Sequence, residues 1–418
     1  MNASTVLRRP NFRRLWIGSV TSSLGAAVGT LVVTWLVYST TGSALAVSLL
    51  GIVQFVPTLA FGLLAGALID RLDRRRVLVG CDLARVGCFG ALAVLVLLYG
   101  AIPGLLIGVM FAAATFTTVF RPATNATVPR ILDREEVTEG NGLLQGGTTV
   151  AQFVGSPLGG VFLVTVGAVA GLAFNALTFA ISATMILLMV IPSSTARAAT
   201  AGPQEPSSLL GEVAAGLRYL RSQRPLLIIT LSAMAANFFL SIWGGFQVVY
   251  VAVQLRQGAA GFGILVAATT AGFAVGAVLP SRLHAERAPG QWILPSWGSV
   301  GFFIVALAFV RSLLLAVPLE IAAGLLLSVG NTTWLSGVHR TVPDEYLGRY
   351  FATDEAGSFA MIPAGIALGG VFVFLYGISN AYLIAGVGTL LTNVFLVLSP
   401  SVWRWGLDES PTPRLPRS

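Results

Sequence analysis

Twelve apolar runs follow one another through the chain, at 15–38, 45–69, 77–99, 102–124, 138–164, 168–192, 225–252, 259–281, 292–310, 314–338, 350–375 and 379–400. A hydrocarbon core about 30 Å thick needs roughly 20 such residues per helix, and each helix must satisfy its own backbone polar groups there. The breaks carry turn formers or charge: Thr41-Gly42-Ser43, Gly100 to Pro103, Gly258, Arg311-Ser312 and Gly377 to Asn380. The expected fold class is therefore an all-α integral membrane protein with twelve transmembrane helices. Composition agrees, because 55% hydrophobic against 10% charged residues leaves too little polar surface for a soluble globule.

The arginines orient this ladder. With the N-terminus inside, the inner segments hold Arg8, Arg9, Arg13 and Arg14, then Arg71 and Arg74 to Arg76, then Arg130 and Arg134. Arg197, Arg218, Arg221, Arg224, Arg282, Arg287, Arg340, Arg349, Arg404, Arg414 and Arg417 complete the inner set. The outer loops hold only Arg256 and Arg311, and Arg85 and Arg121 fall inside spans. An excess of cations on one side marks the cytoplasm, so both termini are expected there, in a multi-pass protein of the cell membrane. The first run reaches full spanning length without a cleavage site, so no secretory signal peptide is expected.

The chain also divides in two. Residues 1–192 are expected to form an N-terminal six-helix bundle, 193–224 a cytoplasmic linker, 225–400 a second six-helix bundle and 401–418 a cytoplasmic tail. In the linker, Leu210, Val213, Leu217 and Leu220 recur at helical spacing, which predicts a short amphipathic helix lying on the inner surface. Arg9-Pro10 is echoed by Arg224-Pro225, Gly62 and Gly66 by Gly272 and Gly276, Val128-Pro129 by Val342-Pro343, and Gly155 to Gly160 by Gly365 to Gly370. Offsets this regular imply two pseudo-symmetric halves, with a ligand held near the midplane between them.

One loop carries more than topology. In Gly66-Ala-Leu-Ile-Asp70-Arg71-Leu-Asp73-Arg74-Arg75-Arg76, Gly62, Gly66 and Asp70 share a helix face, with small residues suited to close packing and a carboxylate at the membrane edge. This stretch resembles the signature loop of the major facilitator superfamily, G-x-L-a-D-R-x-G-R-R, with Asp73 in place of a glycine. The resemblance implies a gate latch: Asp70 facing a neighbouring helix N-terminus, and Arg71 with Arg74 to Arg76 anchored on lipid phosphate. The second half has Pro280-Ser281-Arg282 there, so the latch is one-sided. Gly155-Ser156-Pro157-Leu158-Gly159-Gly160 resembles the family's antiporter motif, G-P-x-x-G-G, with Gly155 and Gly159 on one packing face, Pro157 bending the helix and Gly160 closing the motif. Asp82-Leu83-Ala84-Arg85, Arg121-Pro122-Ala123, and Val342-Pro343 with Gly348-Arg349 add a likeness to the branch of macrolide efflux pumps and enterobactin-type exporters. His339 stands where that branch commonly has glutamine.

Charges within a membrane span are costly and therefore functional candidates. Asp82 and Arg85 lie three apart and can pair, and Arg121 adds a second cation to make an Asp-Arg group that serves either proton coupling or a gate lock. Glu320 lies two turns into span ten, with Arg311 in plausible reach, and Asp354 lies just inside span eleven. As carriers of a coupled proton they rank Asp82, Glu320, Asp354. Candidate cavity residues are Thr30, Trp35, Gln145, Thr149, Gln152, Asn237, Trp243, Gln247, Asn331 and Trp334, polar or aromatic groups near span centres that together describe a weakly polar pocket.

Several chemistries are excluded. All 25 basic residues are arginine, which removes Walker, Schiff-base and kinase lysines. Cys81 and Cys88, seven apart on one helix, stand too far apart for a disulfide, and His284 and His339 have no ligand-spaced partner, so no metal or cofactor is expected. The pI near 10.2 comes from scattered arginines rather than one basic face, so nucleic acid is not an expected partner. Without a nucleophile, base or metal constellation the chain is not expected to be an enzyme. The expectation is a monomeric secondary exporter of a small amphipathic molecule (an antibiotic, drug or siderophore-like metabolite), driven by protons and in contact with membrane lipid. Import by a facilitator or symporter of the same fold is hardly separable at this level, and a non-transport membrane protein on the same fold is the remaining alternative.

Overall fold

The computed structural model describes residues 3–69, 72–190 and 209–407. Ten long helices run Pro10–Thr41 (α1), Ala44–Ile69 (α2), Arg74–Tyr99 (α3), Pro103–Ile131 (α4), Val137–Thr165 (α5), Ala168–Leu187 (α6), Arg224–Gly245 (α7), Ala259–Arg282 (α8), Pro289–Phe309 (α9) and Leu313–Thr341 (α10). The last long element, Asp344–Val397, would reach about 80 Å as one helix, far beyond any bilayer. Gly377, at φ 78° and ψ 165°, divides it into α11 (344–376) and α12 (378–397). Among the described residues eleven helices are long and apolar enough to cross a membrane, and the break at Gly377 makes the expected twelve.

Local chemistry places the ends. Pro10, Pro103, Pro225 and Pro289 occupy first turns, where the missing N–H costs nothing. Asp73 caps α3 by accepting from the Arg76 backbone N–H at 3.1 Å, a use for the residue that replaces the family's glycine. Large apolar side chains cover the outside: Leu59, Phe309, Leu314 and Phe395 are each more than 70% exposed, which suits lipid.

The chain forms two compact units, Met1–Ala201 with Gly258–Val266, and Gly202–Gln257 with Ala267–Ser418. In the first, α1 packs against α5 and α6, α3 against α6 and α4, and α2 against α4. One apolar cluster gathers Phe12, Leu15, Leu78, Phe120 and Ile186, and another gathers Val28, Val32, Phe89, Leu92 and Phe179. In the second unit α7 packs against the α11–α12 pair and α9 against α10 and that pair.

The glycine echo is a packing echo. A Cβ on Gly155 would stand 2.8 Å from the Ala27 Cβ and one on Gly159 3.0 Å from the Val28 carbonyl, so α5 meets the α1 backbone there. Cβ atoms on Gly365 and Gly369 would stand 2.9 Å from the Phe238 carbonyl carbon and 2.8 Å from the Phe246 ring, so α11 meets α7 in the same way. The other echo holds only in part. Gly272 and Gly276 bring α8 against α10, whereas among the described residues only Thr58 of its own helix comes near Gly62. Among the described residues no other helix approaches Gly62 closely; α2 is tied to α4 one turn earlier, by the 3.0 Å hydrogen bond between Thr58 and Thr118.

In the linker a helix runs Leu209–Ser222, and its C-terminal end packs on the rest of the second unit. Leu220 is buried with Leu226, Ile229 and Tyr350, and Tyr219 stacks on Tyr346 with centroids 4.5 Å apart. Burial, helped by Tyr346, pushes the Tyr219 phenol pKa up.

Candidate functional site

Span seven is not one uninterrupted α-helix. At Trp243-Gly244-Gly245-Phe246-Gln247 the backbone leaves helical geometry, with Phe246 at φ −113° and ψ 17°, and continues through Gln247–Val249 into a π-helical turn, Tyr250–Gln254. The Tyr382 hydroxyl donates to the Trp243 carbonyl at 3.0 Å, and Tyr382 stacks on Tyr250. Two side chains flanking the break converge on one carboxylate. Glu320, at the start of the third turn of α10, is fully buried. Its Oε1 accepts from Trp243 Nε1 at 3.0 Å, and its Oε2 accepts from the Thr269 hydroxyl at 2.7 Å and Gln247 Nε2 at 3.2 Å. Gln247 Nε2 also donates to the Thr269 oxygen at 3.2 Å.

This carboxylate is held by neutral donors. Among the described residues no ion pair reaches it, and the titratable groups facing it are Tyr250 and Tyr382. Arg311, expected in reach, instead lines a small outer hollow with Gln254, Ser379 and Asn380. Arg311 lies in the extended loop before Leu313, so its placement follows that loop rather than the face of α10 that carries Glu320. Trp243 and Gln247, two of the expected cavity residues, are buried and spent on Glu320. Thr269 had no signal in the sequence beyond being one small polar residue among alanines.

The Asp82–Arg85 site is of another kind. The two side chains pair at 2.5 Å, both almost fully buried. The guanidinium carbon lies 4.3 Å and 4.5 Å from the ring centroids of Phe120 and Phe179, and Arg85 Nε reaches the Cys81 carbonyl. A cation between two aromatic faces beside a carboxylate is a fixed charge pair. Arg121, expected in this group, is exposed and makes no ion pair with Asp82; its neighbour Phe120 supplies the contact. The Ser182 hydroxyl faces Asp82 from α6.

Asp354 is a further buried acid. It accepts from the Thr230 hydroxyl at 2.7 Å; Thr230 lies 3.4 Å from the Tyr350 hydroxyl, which accepts from Trp334 Nε1 at 3.3 Å. So the expected proton site and the expected cavity residue Trp334 fall into one network. Asn237 donates to the Ser358 carbonyl, and Asn331 accepts from Trp297 at an exposed position. On α5, Gln145, Thr149 and Gln152 share a face and are exposed or half-buried, while Val150, Val154 and Val161 are exposed on another. Thr30 and Trp35 are half-buried on α1, with Trp35 stacked on Phe262. Gly160, the last motif glycine, packs on Gly263, and Pro157 lies inside α5.

Of the signature loop, Asp70 and Arg71 lie outside the described residues. Gly66 is in α2 and Arg74 is half-buried on the first turn of α3. Arg75 departs from the expected lipid anchor: it donates to the Leu187 carbonyl at the end of α6. Arg14 donates to the Leu188 carbonyl at 2.6 Å and Asn11 to that of Val190 at 2.7 Å. Two cations and an amide thus close the negative end of α6, a role no local pattern announced. Nearby Arg9 binds Asp133 at 2.6 Å and Glu136 at 3.2 Å, and these acids, Glu136 first, raise its pKa.

Comparison with known proteins agrees with this architecture. A family model described as transmembrane secretion effector, of the major facilitator type, matches residues 2–416. Macrolide efflux protein A of Streptococcus pyogenes is 23% identical over 92% of this chain and 94% of its own length. The enterobactin exporter of Citrobacter koseri is 26% identical over 95% of this chain and 94% of its own. The crystal structure of a nucleoside transporter superposes with a TM-score of 0.70 at 13% identity, covering 93% of this chain and 98% of that one, a likeness of fold alone.

Proposed function

This chain belongs to the transmembrane secretion effectors of the major facilitator superfamily, and we propose that it exports a small amphipathic molecule in exchange for protons. It is a multi-pass membrane transporter and not an enzyme. The exported class follows two similar proteins, named for macrolide efflux and enterobactin export.

One observation carries the proton coupling: Glu320 is a buried carboxylate ringed by neutral donors, and no cation among the described residues pairs with it. Such a group can exist charged, with three hydrogen bonds, or neutral, with no buried counter-ion left behind. Asp82 cannot, because its protonation strands Arg85. A hard metal cation would need a shell of oxygens, and N–H groups take much of that space at Glu320. Glu320 therefore replaces Asp82 as the first choice of carrier. The polar face of α5, at Gln145, Thr149 and Gln152, suits a hydrated path for cargo, and the valine face suits lipid.

The test uses everted membrane vesicles and a panel of amphipathic compounds that includes a macrolide. At least one should accumulate when the interior is made acidic, collapse with an uncoupler, and fail to accumulate with Glu320→Gln. Accumulation that ignores the uncoupler, or no accumulation above vesicles lacking the protein, would overturn the proposal.

A further inference from the structure

Glu320's three partners are not equivalent. The Trp243 indole N–H can only donate, and Gln247 presents its amide N–H₂ to both Glu320 and Thr269. The Thr269 hydroxyl alone both donates and accepts in place, giving its hydrogen to Oε2 at 2.7 Å while accepting from Gln247 at 3.2 Å. It also makes the shortest of the three bonds. Gln247 could answer a new proton only by turning its whole amide and losing its bond to Thr269.

We infer that Thr269 is the positioning residue that sets the proton affinity of Glu320, holding the carboxylate by donation and the acid by acceptance. The inference rests on the reading of Glu320 as proton carrier. The step balances simply. A proton bonds to Oε2, the Thr269 hydrogen turns to the carbonyl one turn back on its own helix, as helical threonine hydroxyls do, and the acid donates to the freed lone pair.

Position strengthens the assignment. A Cβ on Gly324 would stand 3.1 Å from the Thr269 carbonyl carbon, and one on Gly272 2.9 Å from the Leu325 nitrogen, so the backbones of α8 and α10 touch beside the carboxylate. A hydroxyl at a crossing this tight cannot drift from its partner. Among the described residues the titratable groups that face Glu320 are two tyrosines. Tyr250 and Tyr382 face Glu320 from the π-helical turn and α12, α9 carries no titratable side chain, and α8 carries none before Arg282.

The test is an infrared pH titration of the full-length protein in phosphatidylethanolamine–phosphatidylglycerol vesicles. It reads the protonated-carboxyl band that Glu320→Gln removes. Thr269→Val removes a donor to the charged form, which loses more than the neutral acid, because charge-assisted bonds are about twice as strong. The midpoint should rise by about one pH unit, a tenfold gain in proton affinity. Thr269→Ser should keep the wild-type midpoint, and Thr269→Cys, a weak donor of similar size, should fall between and serves if valine prevents folding. A valine or cysteine variant titrating at the wild-type midpoint, or lower, overturns the role of Thr269 and leaves Glu320 standing. A wild-type band that does not titrate, or gradient-driven transport surviving Glu320→Gln, overturns the carrier reading itself.

Discussion

Glu320 and Asp82, both buried within the spans, differ in what surrounds them, and the difference decides what each can do. Glu320 is bonded to an indole, an amide and a hydroxyl, so its neutral form leaves nothing charged behind. Glu320→Gln keeps the shape and removes the titration. We expect it to fold normally and to lower gradient-driven accumulation at least tenfold, while exchange of labelled for unlabelled compound without a gradient persists; parallel vesicle assays check both. Asp82 is bonded to Arg85 between two rings. Asp82→Asn leaves that arginine uncompensated, and breaking such a pair costs about 3–5 kcal/mol. The expected result is a large fall in thermal unfolding temperature. Asp82→Leu with Arg85→Met, which removes both charges, should recover most of that loss and retain transport. If the double variant folds but cannot transport, Asp82 has a role beyond the pair. Both acids were legible from the sequence as intramembrane charges. Their environments were not, because the partners of Glu320 come from two other helices and those of Arg85 include aromatic faces that no spacing rule connects.

At the level of helices, the sequence is most informative where a glycine permits contact. The spacing from Gly155 to Gly159 and its echo from Gly365 to Gly369 locate the α1–α5 and α7–α11 contacts before any coordinates are known. Gly155→Val should cost about 1–3 kcal/mol through overpacking against Leu24 and Ala27, whereas Gly90→Val, where a side chain has open space, should cost far less. Thermal unfolding in detergent measures both, and equal costs would mean that α5 and α1 do not meet there. What spacing misses is interruption inside a span. Trp243 and Gln247, four apart, invite a continuous helical face, yet the break at Phe246 lets Trp243 bind one carboxylate oxygen and Gln247 the other. The paired glycines before Phe246 are the only local hint. Arg75 illustrates the same limit, since its carbonyl partner lies 112 positions away.

For the whole molecule, sidedness links topology to the direction of transport. Glu320 is the eighth residue of α10, roughly 12 Å along the helix from the end that carries Arg311. The arginine-rich loops lie at the opposite end of the spans. If those loops are cytoplasmic, as the positive-inside rule requires, the carboxylate lies nearer the outer side, where an energised cell is more acidic. A proton loading there and leaving inward drives cargo outward. Single cysteines can decide this, after Cys81 and Cys88 are both replaced by alanine. A membrane-impermeant maleimide on intact cells should label Arg311→Cys at once and Arg134→Cys only after permeabilisation. The reverse pattern would put Glu320 nearer the cytoplasm and remove the gradient that loads it. Export by proton exchange would then lose its energy source, even though every contact around the carboxylate stayed as it is.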